Sequence, residues 1–148
     1  MLLTYKMNRI FITIQLVFMI TALALLGLER KDLTKARKNI FYYSVIPSLF
    51  FACSGHLLFG KRVRAAQGWD ESIGTVTLER ELGITQLSMA IIALFSSKDP
   101  QYIGSLWGIM MCLMGINHIF VNKKMTAVAI VDIAYGATLL GIYAKSLF

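Results

Sequence analysis

His56, Glu79, Glu81, Asn117, His118 and Asp132 are the residues whose types could do chemistry in this chain. Imidazole and carboxylate together can hold a divalent metal, relay a proton, or bind the polar head of a ligand. If a metal were held, His56, His118, Glu81 and Asp132 would be its ligands. The spacing carries no strong metal signature. Neither HxxxH nor ExxH occurs, so the ligands would have to come from separate segments. No nucleophile elbow, phosphate loop or dinucleotide fingerprint is present either.

The setting of these residues makes them notable. Of 148 residues, 57% are hydrophobic and 16% charged, and the mean hydropathy is +0.65. Soluble domains carry about 25% charged residues. The composition therefore points to a membrane protein. Five apolar segments stand out, at about residues 10–28, 40–59, 78–95, 103–121 and 126–144. None alternates in the manner of a barrel strand. A bilayer leaves no water for unpaired backbone groups, so helices are expected. The reading is an all-α integral membrane bundle of five transmembrane helices, with residues 1–148 forming a single transmembrane domain.

Alternation of five spans brings the polar residues to one level. The end of the second span, the start of the third, the end of the fourth and the start of the fifth share one membrane face. His56, Glu79, Glu81, Asn117, His118 and Asp132 then lie at similar depth, and Gln15 enters from the same side. The stretch GWDESIGTVTLERELG places its carboxylates where both histidines arrive, and where a helix dipole favours anions. Asp132 sits about 10 Å into its span at 1.5 Å per residue. An ionisable group at that depth marks a functional-site candidate. The counter-reading is a salt-bridged cap that fixes the bundle, with Arg62, Arg64 or Arg80 neutralising the acids.

The net charge of +7 comes largely from basic residues between apolar segments, such as Arg30, Lys31, Lys35, Arg37 and Lys38. Such residues mark topology and contact lipid headgroups, and nucleic acid is not an expected partner. They divide almost evenly between the two faces. Cys53 and Cys112 lie in apolar segments and read as small hydrophobes. The first apolar run covers 19 residues, beyond the usual 7–15 of a signal peptide, and is expected to remain as a span despite Ala22-Leu23-Ala24. Arg62 to Trp69 reads as a short interfacial helix with Trp69 as its anchor. Residues 29–39 and 60–80 read as polar links.

Small residues Gly104, Gly108, Cys112 and Gly115 keep near one helix face and predict close helix packing. Gly136, Ala137 and Gly141 are expected to act likewise. Pro47 predicts a kink, with Ser44 and Ser48 beside it to satisfy freed backbone groups. Glu81, Thr85 and Ser88 share a face that would pack on a neighbouring helix or line a cavity.

The run GWDESIGTVTLERELGITQLSMAIIALFS, a span ending GINHIF, and a last span opening with VDI resemble a group of small bacterial membrane proteins of unknown function, distantly similar to the DoxX-like membrane proteins. The resemblance covers about residues 68–140 and rests on Gly68, Trp69, Glu81, Gly83, Gly115, His118 and Asp132. The Ser-Pro that usually follows Gly-Trp in that group is replaced here by DESIGTVTLER. The resemblance implies a multi-pass protein of the bacterial cytoplasmic membrane.

The expected function is that of an accessory or scaffold membrane protein with a polar His/carboxylate pocket at one membrane face. Two other readings stay open: a membrane redox enzyme or subunit using quinone, haem or metal, and a proton-coupled small-solute transporter. The expected partners are the lipid bilayer, other membrane proteins or further copies of the chain.

Overall fold

The computed structural model describes residues 2–67, 72–95, 100–122 and 125–143. Among these the structure is helical throughout, with no strand. Helix α1 spans Leu2–Leu28. Helix α2 (Leu33–Ile40), a π turn (Phe41–Val45) and α3 (Ile46–Leu58) form one continuous rod. A short helix α4 (Gly60–Gln67) follows, then α5 (Ile73–Phe95), α6 (Pro100–Asn122) and α7 (Ala127–Tyr143). Among the described residues three helices are long and apolar enough to cross a membrane: Arg9–Leu28, Leu33–Leu58 and Pro100–Phe120. Helix α7 is a shorter apolar helix.

Two expected links are helical instead. The charged stretch after Glu29 is a helix from Leu33, because Asp32 caps it. Its carboxylate accepts from the Lys35 amide at 2.9 Å, satisfying an amide that the first helical turn leaves open. Ala36 and Ile40 then turn inward and are fully buried. The described part of residues 60–80 is also mostly helical, in α4 and the start of α5. Ser72 starts α5 in the same way, accepting from the Thr75 amide at 3.3 Å. Trp69, the expected anchor, lies outside the described residues.

The π turn precedes Pro47. The Ile46 amide reaches back to the Phe41 carbonyl, one residue further than an α-helix allows. Ser48 Oγ donates to the Val45 carbonyl at 2.8 Å. Ser44 Oγ instead leaves its own helix and donates to the Phe18 carbonyl of α1 at 2.9 Å.

Helices α6 and α7 pack most closely. A Cβ at Gly136 would meet the Gly108 carbonyl at 2.6 Å and the Cys112 amide at 2.7 Å, and one at Gly115 would meet the Ala129 carbonyl at 2.8 Å. These are backbone contacts, so glycine sets the interhelical distance. Ala137 and Gly141 do not share this role. Ala137 is exposed, and a Cβ at Gly141 would meet nothing within 4 Å. Below this seam, Trp107, Tyr135, Leu139 and Tyr143 join Phe41, Val45 and Leu49 in the core.

Helix α5 lies mainly on α3. It turns Glu79, Gly83, Gln86, Ala90 and Ala93 inward, a helical spacing of four and three. Glu81, Thr85 and Ser88 point outward and are exposed. Thr85 and Ser88 donate to their own helix, to the Glu81 and Ile84 carbonyls at 2.9 Å. Among the described residues neither hydroxyl bonds a neighbouring helix.

Gln86 is fully buried, and neither of its amide atoms has a hydrogen-bond partner among the described residues. Removing a buried, unsatisfied polar group is stabilising, so Gln86→Leu should raise the melting temperature of detergent-purified protein, by an amount equivalent to about 1–2 kcal/mol. Gly136→Val should lower it sharply, since overpacking against backbone costs about 1–3 kcal/mol or more. Gly27→Ala, where a Cβ meets nothing within 4 Å, should leave it unchanged. Thermal-shift assays on the three variants check all of this.

Candidate functional site

Two clusters of buried polar side chains form at the end of the bundle where α3 and α6 finish and α5 and α7 begin. The first centres on Glu79, which is 1% exposed. One carboxylate oxygen pairs with the Arg64 guanidinium. The other lies 3.4 Å from His56 Nδ1. Arg64 arrives from α4, whose Val63 and Arg64 are buried while Lys61 and Arg62 face outward. The short helix thus delivers a cation sideways into the bundle. Gly60 makes this possible: a Cβ there would meet Glu79 Oε2 at 2.9 Å.

The second cluster centres on Asp132, also 1% exposed. Gln15 Nε2 donates to Oδ1 at 2.7 Å. His118 Nε2 lies 3.5 Å from Oδ2. Asp132 has no arginine or lysine partner among the described residues. The two carboxylates are therefore held differently: Glu79 by a permanent cation and an imidazole, Asp132 by an amide and an imidazole.

A cavity of about 100 Å³ lies between the clusters. Gln15, His56, His118 and Asp132 line it, with Asn117 at its rim. Phe11, Phe18, Phe51, Trp107, Met111 and Met114 supply apolar walls. Phe51 stands edge-on to Phe18, with ring centroids 6.2 Å apart, and tilted against Phe11 at 5.4 Å. Ser48 and Tyr135 make a polar floor. Trp107 Nε1 donates to Ser48 Oγ at 2.7 Å, and the Tyr135 hydroxyl lies 3.2 Å from the same oxygen and 2.7 Å from Ser44 Oγ. These bonds join the π turn, α3, α6 and α7 beneath the cavity.

The structure brings His56 to Glu79, His118 to Asp132, and both histidines to one cavity. It does not bring Glu81 in. Glu81 and Glu79 are two residues apart, about 200° around a helix, so burying one exposes the other. Asn117 is exposed. Among the described residues no group of three or more His, Cys, Asp or Glu side chains lies close enough to hold a metal ion. The set His56, His118, Glu81 and Asp132 is thus not a ligand sphere in this geometry. Trp107, Ser48 and Tyr135 were not singled out as site residues from sequence. Tyr135 is readable after the fact, since it lies one turn beyond Asp132 on the same face.

The fold is all-helical among the described residues, and its three long apolar helices suggest a membrane protein. Comparison with known proteins finds no matching family profile, no matching curated protein and no matching solved structure.

Removing the Glu79 carboxylate takes away the buried anion with which Arg64 pairs on α5. Breaking a buried pair from one side costs about 3–5 kcal/mol, whereas replacing both partners by apolar groups is often neutral. Glu79→Gln should therefore destabilise strongly, and the double variant Arg64→Leu with Glu79→Leu should recover much of the loss. Melting temperatures of the single and double variants in one detergent measure the difference.

Proposed function

We propose that this chain is a five-span membrane protein of accessory or scaffold type, with its polar pocket at one membrane face. Helices α5 and α7 complete the five spans. Helix α7 has 17 residues, at the lower end of the roughly 17–25 needed to cross a bilayer. Helix α5 has 23 residues, and its one charged stretch, Glu79 to Glu81, falls at the level of the pocket. A bacterial cytoplasmic membrane and a distant DoxX-like relationship belong to the same proposal.

One observation carries the scaffold reading. The polar groups of the pocket are engaged with one another: Glu79 with Arg64 and His56, and Asp132 with His118 and Gln15. Each set joins three helices at one level. In lipid, helices gain little hydrophobic driving force from meeting each other, so side-chain bonds and close packing decide how they associate. A rigid small bundle with exposed apolar faces, such as Ile84, Ile91, Ile92 and Phe95 on α5, suits docking to a larger membrane partner.

A second reading has its own support. Asp132 lacks a permanent cation, and its imidazole neighbour is a partner with which a proton can be shared. That favours a proton-exchange role for the Asp132–His118 pair, as a proton-coupled transporter would need.

The deciding comparison uses protein purified in mild detergent as wild type, His56→Ala, His118→Ala and Asp132→Asn. Under the scaffold reading, the wild type is colourless and metal-free by visible spectrum and elemental analysis. The variants melt sooner but still capture the same membrane partner. A stoichiometric pigment or metal lost in both histidine variants would overturn it in favour of redox chemistry. Proton uptake by reconstituted vesicles, abolished in Asp132→Asn, would overturn it in favour of transport.

A further inference from the structure

The end of the bundle away from the histidines carries a second, larger recess. It is a groove of about 450 Å³ between the last turns of α1, the first turns of α2 and the last turns of α7. Its walls are apolar, with Leu23 and Leu33 each about half exposed, at 48% and 50%. Gly141 forms part of the α7 wall, and the space beside it is open: a Cβ there would meet nothing within 4 Å. The groove therefore reaches the α7 backbone and is not filled by its own side chains.

Arg30 and Arg37 line the same groove. Arg30 is exposed and makes no hydrogen bond or ion pair among the described residues. Arg37 donates through Nε to the Ile142 carbonyl at 2.8 Å, which aims its guanidinium at the groove and leaves the terminal nitrogens available. The surrounding stretch, residues 29–38, holds five basic residues and two acidic ones. Both acids are already engaged. Glu29 pairs with Lys35 at 3.1 Å and accepts from Asn39 at 2.9 Å, and Asp32 caps α2. Five basic residues against two acidic ones leave the stretch beside the groove net positive among the described residues.

From Leu23 to Arg30 the groove rises about 10 Å along the α1 axis. This inference rests on the membrane reading proposed above: with α1 spanning a bilayer, the arginine end would lie at headgroup level and the leucine end among acyl chains. A ligand that matches both ends has an anionic head fixed to a hydrocarbon tail. We propose that this groove is a binding site for an anionic phospholipid. The phosphate sits against Arg30 and Arg37, whose planar forks suit phosphate oxygens. An acyl chain lies along Leu23, Leu33 and Gly141. A zwitterionic lipid gains less, because the net positive charge of residues 29–38 repels its ammonium group.

The test is native mass spectrometry of the full chain in detergent, titrated with phosphatidylglycerol, with phosphatidylcholine of the same chains, and with inorganic phosphate. Phosphatidylglycerol should bind one per chain, preferred over phosphatidylcholine by roughly five-fold for each arginine engaged. Arg30→Gln should remove about one such factor without weakening phosphatidylcholine. Gly141→Leu should weaken both lipids by filling the groove, with the melting temperature unchanged. Equal binding of the two lipids by wild type would overturn the proposal. So would phosphatidylglycerol binding that survives both substitutions, or inorganic phosphate that competes at equal concentration. A protein that takes up neither lipid but changes oligomeric state on Gly141→Leu would assign the groove to a second copy of the chain.

Discussion

Two buried carboxylates hold the bundle, each by gathering three helices. Glu79 joins α5 to α3 through His56 and to α4 through Arg64. Asp132 joins α7 to α6 through His118 and to α1 through Gln15. A carboxylate has about four lone-pair sites, enough for two partners from two directions, and that valence suits a three-helix junction. The Ser44, Ser48, Tyr135 and Trp107 network then fastens one trio to the other. The cavity follows from this arrangement. It is the space left where two junctions face each other without merging.

The junctions are not equivalent, and the difference has a physical origin. A buried arginine keeps its charge, so the Glu79 junction remains an ion pair whatever its surroundings. Placing such a charge inside a membrane protein is costly unless it enters from the edge. Helix α4 solves this by lying beside the bundle, with its outer face carrying Lys61 and Arg62. The Asp132 junction has only neutral or titratable partners. No permanent cation lies against Asp132 among the described residues.

Much of this is legible in the sequence, for definite reasons. Apolar runs are read by length alone, which is why α6 and α7 stand where composition places them, while α1 begins at Leu2, well before its apolar run. Alternation of spans puts His56, Glu79, His118 and Asp132 at one level before any contact is known. The start of α2 is hidden because Lys and Arg dominate residues 30–38, and the signal lies in one cap, Asp32, and two inward positions, Ala36 and Ile40. Ser72 hides the start of α5 in the same way. Glu81 shows the limit of reasoning by depth, because level along a helix says nothing of angle around it. The 200° between Glu79 and Glu81 was available from helical geometry. The Arg37 bond to the Ile142 carbonyl joins residues 105 positions apart, and no local pattern foretells it.

The π turn at Phe41–Val45 has a further consequence. A π turn holds one residue more than the α-helical turn it replaces. That extra residue sets the angular phase of everything after it. If the turn tightened into uninterrupted α-helix with all five residues kept, α3 would rotate by about 100° relative to α2. Ser48 would swing off Trp107, and His56 would swing off Glu79, although every one of those side chains would still be present. The rod thus works as a vernier between the two ends of the molecule. The arginine groove is set by the phase of α2 and the histidine cavity by the phase of α3, and five residues fix the angle between them.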